Sequence, residues 1–489
     1  MPTKNNRQLS VVSSSPDRFL FFAFILLFLW LPLPFGSNRI WALSIMEVWI
    51  MLVGIGWLWL YSRGRVQVTE TARQAKYIIL CFALFVFWVF FQILPLPASL
   101  LEILSPESAA TQSFLTDSVG SLSINPFYTL DSALKSVSYL LLFLMSILLL
   151  NSRLRIKYFA AAIVLGGLFQ AVYGSLMMLS GVEYTFFVPK SASLDAASGT
   201  FVNRNHFAGY LEMTLSVGTG LMIASLSRQP AGSAREWFQR LALALLGPKG
   251  RLRIALAIMV IALVLSRSRM GNSAFFISLA VAGVIGLIGL WWLARKGEIS
   301  EKTRRPVLIF FMSVLIIDVF IVGAWFGIDK VKERIQSTSF ASEIRDEVDI
   351  NSLDQIQAFL ISGSGGGTFA EVFPAYKTAL YPGFIDHAHN DFLEMAGEFG
   401  LFGMALLSVI VLWSFIKAIQ AQFVRRSSLM RGIGFASTMA IVAIMIHSTV
   451  DFNLQIPANA ALFVVLLALA WLSCYQSTHP PETRKRKSH

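Results

Sequence analysis

Apolar runs of about 20 residues recur along the whole chain, each long enough to cross a bilayer as a helix. Twelve such segments can be drawn, at roughly 19–35, 40–61, 76–94, 132–150, 158–180, 207–226, 253–266, 273–294, 306–326, 392–416, 432–450 and 457–475. The stretches between them are short except for 95–131, 181–206, 227–252 and 327–390. This pattern predicts an all-α, polytopic integral membrane protein of about 12 transmembrane helices with one large helical loop at 327–390. Within that loop the sequence predicts a charged helix over 329–349 and a second over 352–360, followed by Gly363-Ser364-Gly365-Gly366-Gly367-Thr368. That glycine run lacks a preceding strand and a Lys-Ser or Lys-Thr pair, so it is expected to be a tight turn and not a nucleotide cradle.

Composition agrees. The 489 residues are 55% hydrophobic and only 14% charged, where a soluble protein carries about a quarter charged. A soluble domain with a buried core is thereby excluded. Cys81 and Cys474 both sit in apolar runs and are not disulfide candidates. The run after Arg18 lacks a small-residue cleavage site and leads into Pro32-Leu33-Pro34, so it is expected to stay as the first span. Net charge is +12, but its distribution matters more than its sum, and no nucleic-acid partner is expected. With the N-terminus placed in the cytoplasm, 29 of the 40 Lys and Arg fall on cytoplasmic segments and 11 on outer ones. That is the positive-inside bias. It predicts cytoplasmic tails at 1–18 and 476–489, a transmembrane domain over 19–475, and a long loop at 327–390 on the outer face.

The densest polar chemistry lies at 386–403. His387 and His389 stand two apart, with Asp386, Asp391, Glu394 and Glu398 around them, just before a hydrophobic helix. Ionisable groups at the edge of a span point to function. Asn390 is a suitable N-cap, so a helix is expected from about 391. Asp391, Glu394 and Glu398 then share one face, and Gly397, Gly400 and Gly403 line an adjacent stripe open to close approach by a helix or a lipid-linked substrate. A histidine just before a helix N-terminus meets the positive end of the dipole, which favours the neutral imidazole that a general base needs.

Arginines mark the same predicted face. Arg267 and Arg269 sit in the turn 266–271 at the end of a short span, and Arg204 lies between Asn203 and Asn205, beside His206. Guanidinium is permanently charged and grips phosphate oxygens in pairs, so these residues are candidate anion binders, Arg269 foremost. His387 and His389 with nearby carboxylates are the only pair with a metal-binding look. The arginines already supply positive charge, so neither metal nor other cofactor is expected. His447 and Asp451, four apart, can pair if their helix continues; they are read as capping or supporting groups.

These residues resemble a family. His389-Asn390, nine residues, then Gly400-Leu401-Phe402-Gly403 is similar to a signature of the bacterial O-antigen ligases and the related O-antigen polymerases. Ser268-Arg269-Met270-Gly271 resembles that superfamily's Ser-Arg-Gly element, with Met270 in place of a small residue. Gly199-Thr200-Phe201 with Asn203-Arg204-Asn205 and Ala208 resembles a third element, and the glycine segment 362–369 also fits. The likeness covers 199–416. It implies a GT-C-like glycosyltransferase that moves a glycan from undecaprenyl diphosphate to an acceptor hydroxyl, at the periplasmic face of the bacterial inner membrane and without a metal. It also implies His389 as base and Arg269 and Arg204, with Arg267 beside them, on the diphosphate. His387, Asn390, Asp391, Glu394, Glu398, Asn205, His447 and Asp451 would support them. The acceptor would be a lipid A core, for a ligase, or a second glycan, for a polymerase, with membrane lipids around the protein. Two readings of other classes remain, a polyprenyl-glycan transporter or flippase and a non-catalytic scaffold.

Overall fold

The structure, a computed structural model, describes residues 15–113, 119–226, 247–298, 339–378 and 383–476. They form long helices joined by short loops: α1 (Arg18–Trp30), α2 (Ile40–Ser62), α3 (Lys76–Phe91), α4 (Pro126–Leu149), α5 (Arg153–Ser180), α6 (Arg204–Ser225), α7 (Pro248–Leu265), α8 (Arg269–Arg295), α9 (Ser339–Ala358), α10 (Asp391–Val424), α11 (Ser428–His447) and α12 (Pro457–Tyr475). Among the described residues, strand is confined to two short antiparallel ribbons, Leu96–Pro97 with Val119–Gly120 and Tyr184–Thr185 with Val188–Pro189. Among the described residues, 8 helices are long and apolar enough to cross a membrane, and α1 and α3 are shorter apolar helices. The chain is an all-α polytopic membrane protein. Every predicted segment within the described residues falls on a helix; the one at 306–326 lies outside them.

Boundaries moved for local reasons. The first predicted segment ran to 35, but α1 ends at Trp30, because Pro32 and Pro34 lack the N–H to continue it. The fourth and fifth begin earlier than their apolar cores, at Pro126 and Arg153. Asn125 and Ser152 cap those starts by accepting from Phe127 N and Arg155 N, and charged side chains ride on the helix ends. The two helices expected across 329–360 are, in the described part, the single helix α9. Ser352 does not break it: its hydroxyl donates back to Val348 O at 2.7 Å, the in-helix alternative to capping.

α12 is the axis of the bundle. All its residues from Pro457 to Cys474 are buried, as expected of a helix that is apolar all round. It packs against α4, α10 and α11, and α11 packs in turn against α6 and α8. At the α6–α11 crossing the backbones nearly touch: a Cβ at Gly432 would stand 2.3 Å from Gly220 O. In a bilayer such approach gains dispersion where lipid chains offer no hydrophobic drive. The outer helices turn side chains such as Trp41, Leu52, Ile55 and Leu58 of α2 outward, the surface a lipid belt requires.

α10 is broken at Gly400, with φ 63° and ψ −173° inside an otherwise helical run. The glycine segment fits into the break. Ser364 N donates to Gly397 O, Gly365 N to Glu398 O, and Leu401 N to Leu360 O. Gln92, at the end of α3, donates to Ser362 O and Glu398 O and accepts from Gly366 N. The stripe Gly397, Gly400 and Gly403 is therefore met by protein: Gln355, the backbone at 361–363, and Trp88 respectively. It is not an open groove for a substrate. The segment 363–368 is a turn, as expected, and its purpose is to satisfy the backbone groups that the break exposes.

Candidate active site

Asn390 caps α10, accepting from Phe392 N and Leu393 N through Oδ1. The residue before it, His389, has φ 54°, and Arg267 has φ 55°. Left-handed backbone is uncommon for non-glycine residues and concentrates at sites where the surroundings over-determine it.

The three acids on the first turns of α10 do share a face, and all are buried. Each grips a different segment. Asp391 Oδ2 accepts from Ser448 Oγ at 2.6 Å and from Leu454 N at 3.1 Å. Glu394 accepts Ala388 N at 2.9 Å and meets His387 Nδ1 at 2.7 Å. Glu398 accepts Phe369 N at 3.1 Å. They are anchors that hold the histidine loop against the rest of the bundle. His387 differs from the neutral imidazole that the helix dipole favours. Burial lowers its proton affinity, but the charge and hydrogen bond of Glu394 outweigh that and raise its pKa from 6.5 to about 8.

All four histidines of the described residues gather around Asp451 and Phe452. Asp451 is 1% exposed. Its Oδ1 stands 3.5 Å from His206 Nε2 and 3.8 Å from His389 Nδ1, and its Oδ2 4.0 Å from His447 Nε2. Phe452 stacks on His387 at 4.2 Å between ring centres and meets His206 and His389 edge-on at 4.5 and 4.9 Å. Burial pushes the Asp451 carboxyl up, but the facing imidazoles more than offset it and hold it well below the usual carboxylate range. The expected pairing of His447 with Asp451 through a continuing helix is not what brings them together. α11 stops at His447, and the turn 448–451 curls the carboxylate back beneath it.

The arginine turn stands at the same end of the bundle. Ser268 caps α8 by accepting Gly271 N at 3.2 Å, and Asn272 Nδ2 donates to Ser268 O and Leu263 O. Arg269 is the first residue of α8 and is exposed; Arg267 is half-buried. Arg204 is the first residue of α6, which Asn203 caps by accepting Asn205 N. The two arginine-headed helices meet near their starts: a Cβ at Gly271 would stand 2.6 Å from Ala208 Cβ and 3.1 Å from Glu212 Oε1. Glu212 in turn meets His447 Nδ1 at 2.8 Å. A continuous set of contacts thus runs from the arginine turn through Glu212 and His447 to Asp451 and His389. Helix N-termini carry partial positive charge, so arginines placed on two of them make an end of the bundle suited to an anion.

Glu212 was not singled out in the sequence, although the signal was there: a lone acid in the apolar run 207–226. Asn459, which holds α6 by donating to His206 O and to Asn453 Oδ1, gave no such signal. Beneath Asp391 and Glu398 lies a mainly apolar cavity of about 670 Å³, whose walls include Phe82, Lys135, Met395 and Phe463. Among the described residues no three His, Cys, Asp or Glu side chains are placed to hold a metal ion.

Residues 254–408 match the family model described as O-Antigen ligase. The match holds the arginine turn, both loop histidines and the broken first half of α10; it begins later than the expected 199 and leaves out Arg204, Glu212, His447 and Asp451. No curated protein matches the chain. Over 254–408, about a third of its length, the chain is thus similar to the O-antigen ligases.

Proposed function

We propose that the protein transfers a glycan from undecaprenyl diphosphate to an acceptor hydroxyl at the periplasmic face of the inner membrane, as an O-antigen ligase. The observation that carries this reading is the meeting of the His389–Asp451 cluster and the arginine-headed starts of α6 and α8 at one end of the bundle. The bias of 29 among 40 basic residues to the opposite face supports the orientation. The mainly apolar cavity beneath Asp391 supports a lipid-borne substrate.

In this reading His389 accepts the acceptor hydroxyl proton as the oxygen attacks the sugar's anomeric carbon. The bond from that carbon to the diphosphate breaks, and its electron pair leaves with the phosphate. Arg269, Arg204 and Arg267 meet the charge that develops there. Fixed cations aimed at a leaving group contribute about 10²- to 10³-fold each. Asp451 faces His389 Nδ1, which leaves Nε2 for the acceptor, a division of labour that any carboxylate–imidazole pair allows.

The test is the mass of the product formed by purified protein from a polyprenyl-diphosphate glycan and candidate acceptors. A new glycosidic linkage to a lipid A core is expected. Ligase and polymerase share this chemistry and differ in the acceptor, so a product that is only a longer lipid-linked glycan would move the reading to polymerase. Uptake into proteoliposomes with no covalent change would replace it with transport.

A further inference from the structure

The reaction above leaves two fully buried ionisable groups unused. Glu212, in the third turn of α6, and His447, at the end of α11, are both 0% exposed, and they meet at 2.8 Å. An ionisable pair at this depth is expensive unless it serves something.

The geometry around the pair is specific. His447 faces a carboxylate with each ring nitrogen, Glu212 at Nδ1 and Asp451 at Nε2. The first approach, at 2.8 Å, is a hydrogen bond; the second, at 4.0 Å, is a charge contact. Glu212 also reaches the other half of the site, since its Oε1 lies 3.1 Å from where a Cβ would stand at Gly271, two residues after Arg269. Only a residue without a side chain leaves room for it there. One carboxylate thus touches both the turn that presents Arg269 and the imidazole behind Asp451.

We infer that Glu212 and His447 are a positioning pair, which holds Asp451 beneath His389 and locks the arginine turn in register with it. Neither touches the substrate; both act through Asp451 and the first turn of α8. The inference rests on the glycosyl-transfer reading of the site.

The test is kinetic, with a polyprenyl-diphosphate glycan as donor and the full-length protein in detergent. Glu212→Gln keeps the shape of the side chain and removes its charge. It is expected to lower kcat about 10- to 100-fold, the range of one hydrogen bond to a charged group, and to leave the donor KM within about twofold. In an Asp451→Asn background the same change is expected to add nothing, because residues acting as one unit are not additive. A folded Glu212→Gln protein with unchanged kcat overturns the inference, as does a loss that multiplies independently with that of Asp451→Asn. Should Glu212→Gln fail to fold, His447→Gln is read by the same two criteria. Full activity in His389→Ala would instead remove the base assignment, and this inference with it.

Discussion

Gly400→Ala perturbs the point on which the geometry of α10 turns. At φ 63° and ψ −173° the backbone lies where essentially only glycine goes, and another residue there costs about 1–3 kcal/mol. The added methyl would also stand 2.4 Å from Ile361 O and 2.5 Å from Gly363 N. Both are backbone atoms, so relief requires the glycine segment to lift out of the break. Lifting it loosens the bonds from Leu401 N to Leu360 O, 2.8 Å, and from Gly365 N to Glu398 O, 3.0 Å, worth about 1 kcal/mol each. The sum is about 3–5 kcal/mol, large for a single methyl. Gly397→Ala is the internal control. It is helical, and its new Cβ would meet side chains alone, the end of Gln355 at 3.3 Å and Ile356 at 3.8 Å. Alanine's helix propensity exceeds glycine's by about 1 kcal/mol, so this change should be close to neutral. The assay is thermal unfolding of both variants and wild type in one detergent. Gly400→Ala is expected to melt far below Gly397→Ala; equal midpoints would refute the claim that the break requires glycine.

Three further outcomes follow from the same geometry. His387 is held protonated by Glu394, its pKa raised from 6.5 to about 8, so its contribution to stability is whole below pH 6.5 and fades as pH rises through 8. His387→Gln should remove that part of the pH dependence, and a stability profile unchanged between pH 6.5 and 8.5 would contradict it. Arg155 is 2% exposed and grips both oxygens of Asp17, at 2.8 and 2.6 Å; Asp17→Ala leaves the guanidinium buried without its anion and should cost about 3–5 kcal/mol, read as a lower unfolding midpoint than that of the Asp17→Ala/Arg155→Met double variant. Arg269→Ala should lower kcat/KM for the diphosphate donor about 10²-fold or more, with no change in melting temperature, because Arg269 is exposed at the start of α8.

The sequence was most legible where one residue type had one physical use. Asn390 as a cap, the shared face of Asp391, Glu394 and Glu398, and the turn at 363–368 all follow from local rules, and the structure has each of them; that the face is buried comes from the packing. What these features do was not local. The acids read as a titratable cluster because their partners, Ser448, Ala388 and Phe369, lie on other segments. The stripe of Gly397, Gly400 and Gly403 suggested an open surface because glycine spacing does not say whether lipid, helix or loop fills it. Periodicity also passed over the break at Gly400, since one left-handed residue leaves the apolar pattern on both sides intact. The histidine cluster was the least legible feature. His206 and Asp451 are 245 positions apart in sequence and 3.5 Å apart in space, and only the packing of α6 beside α11 brings them together.

The central claim is that His389 removes the proton from the acceptor hydroxyl within a site shared with Arg269. Its most direct test is the single-turnover rate of glycan transfer from a polyprenyl-diphosphate donor by purified His389→Ala protein, at matched folding and saturating donor. The account predicts a rate lower than wild type by about 10²- to 10⁴-fold, with donor binding retained. Transfer at the wild-type rate would contradict it.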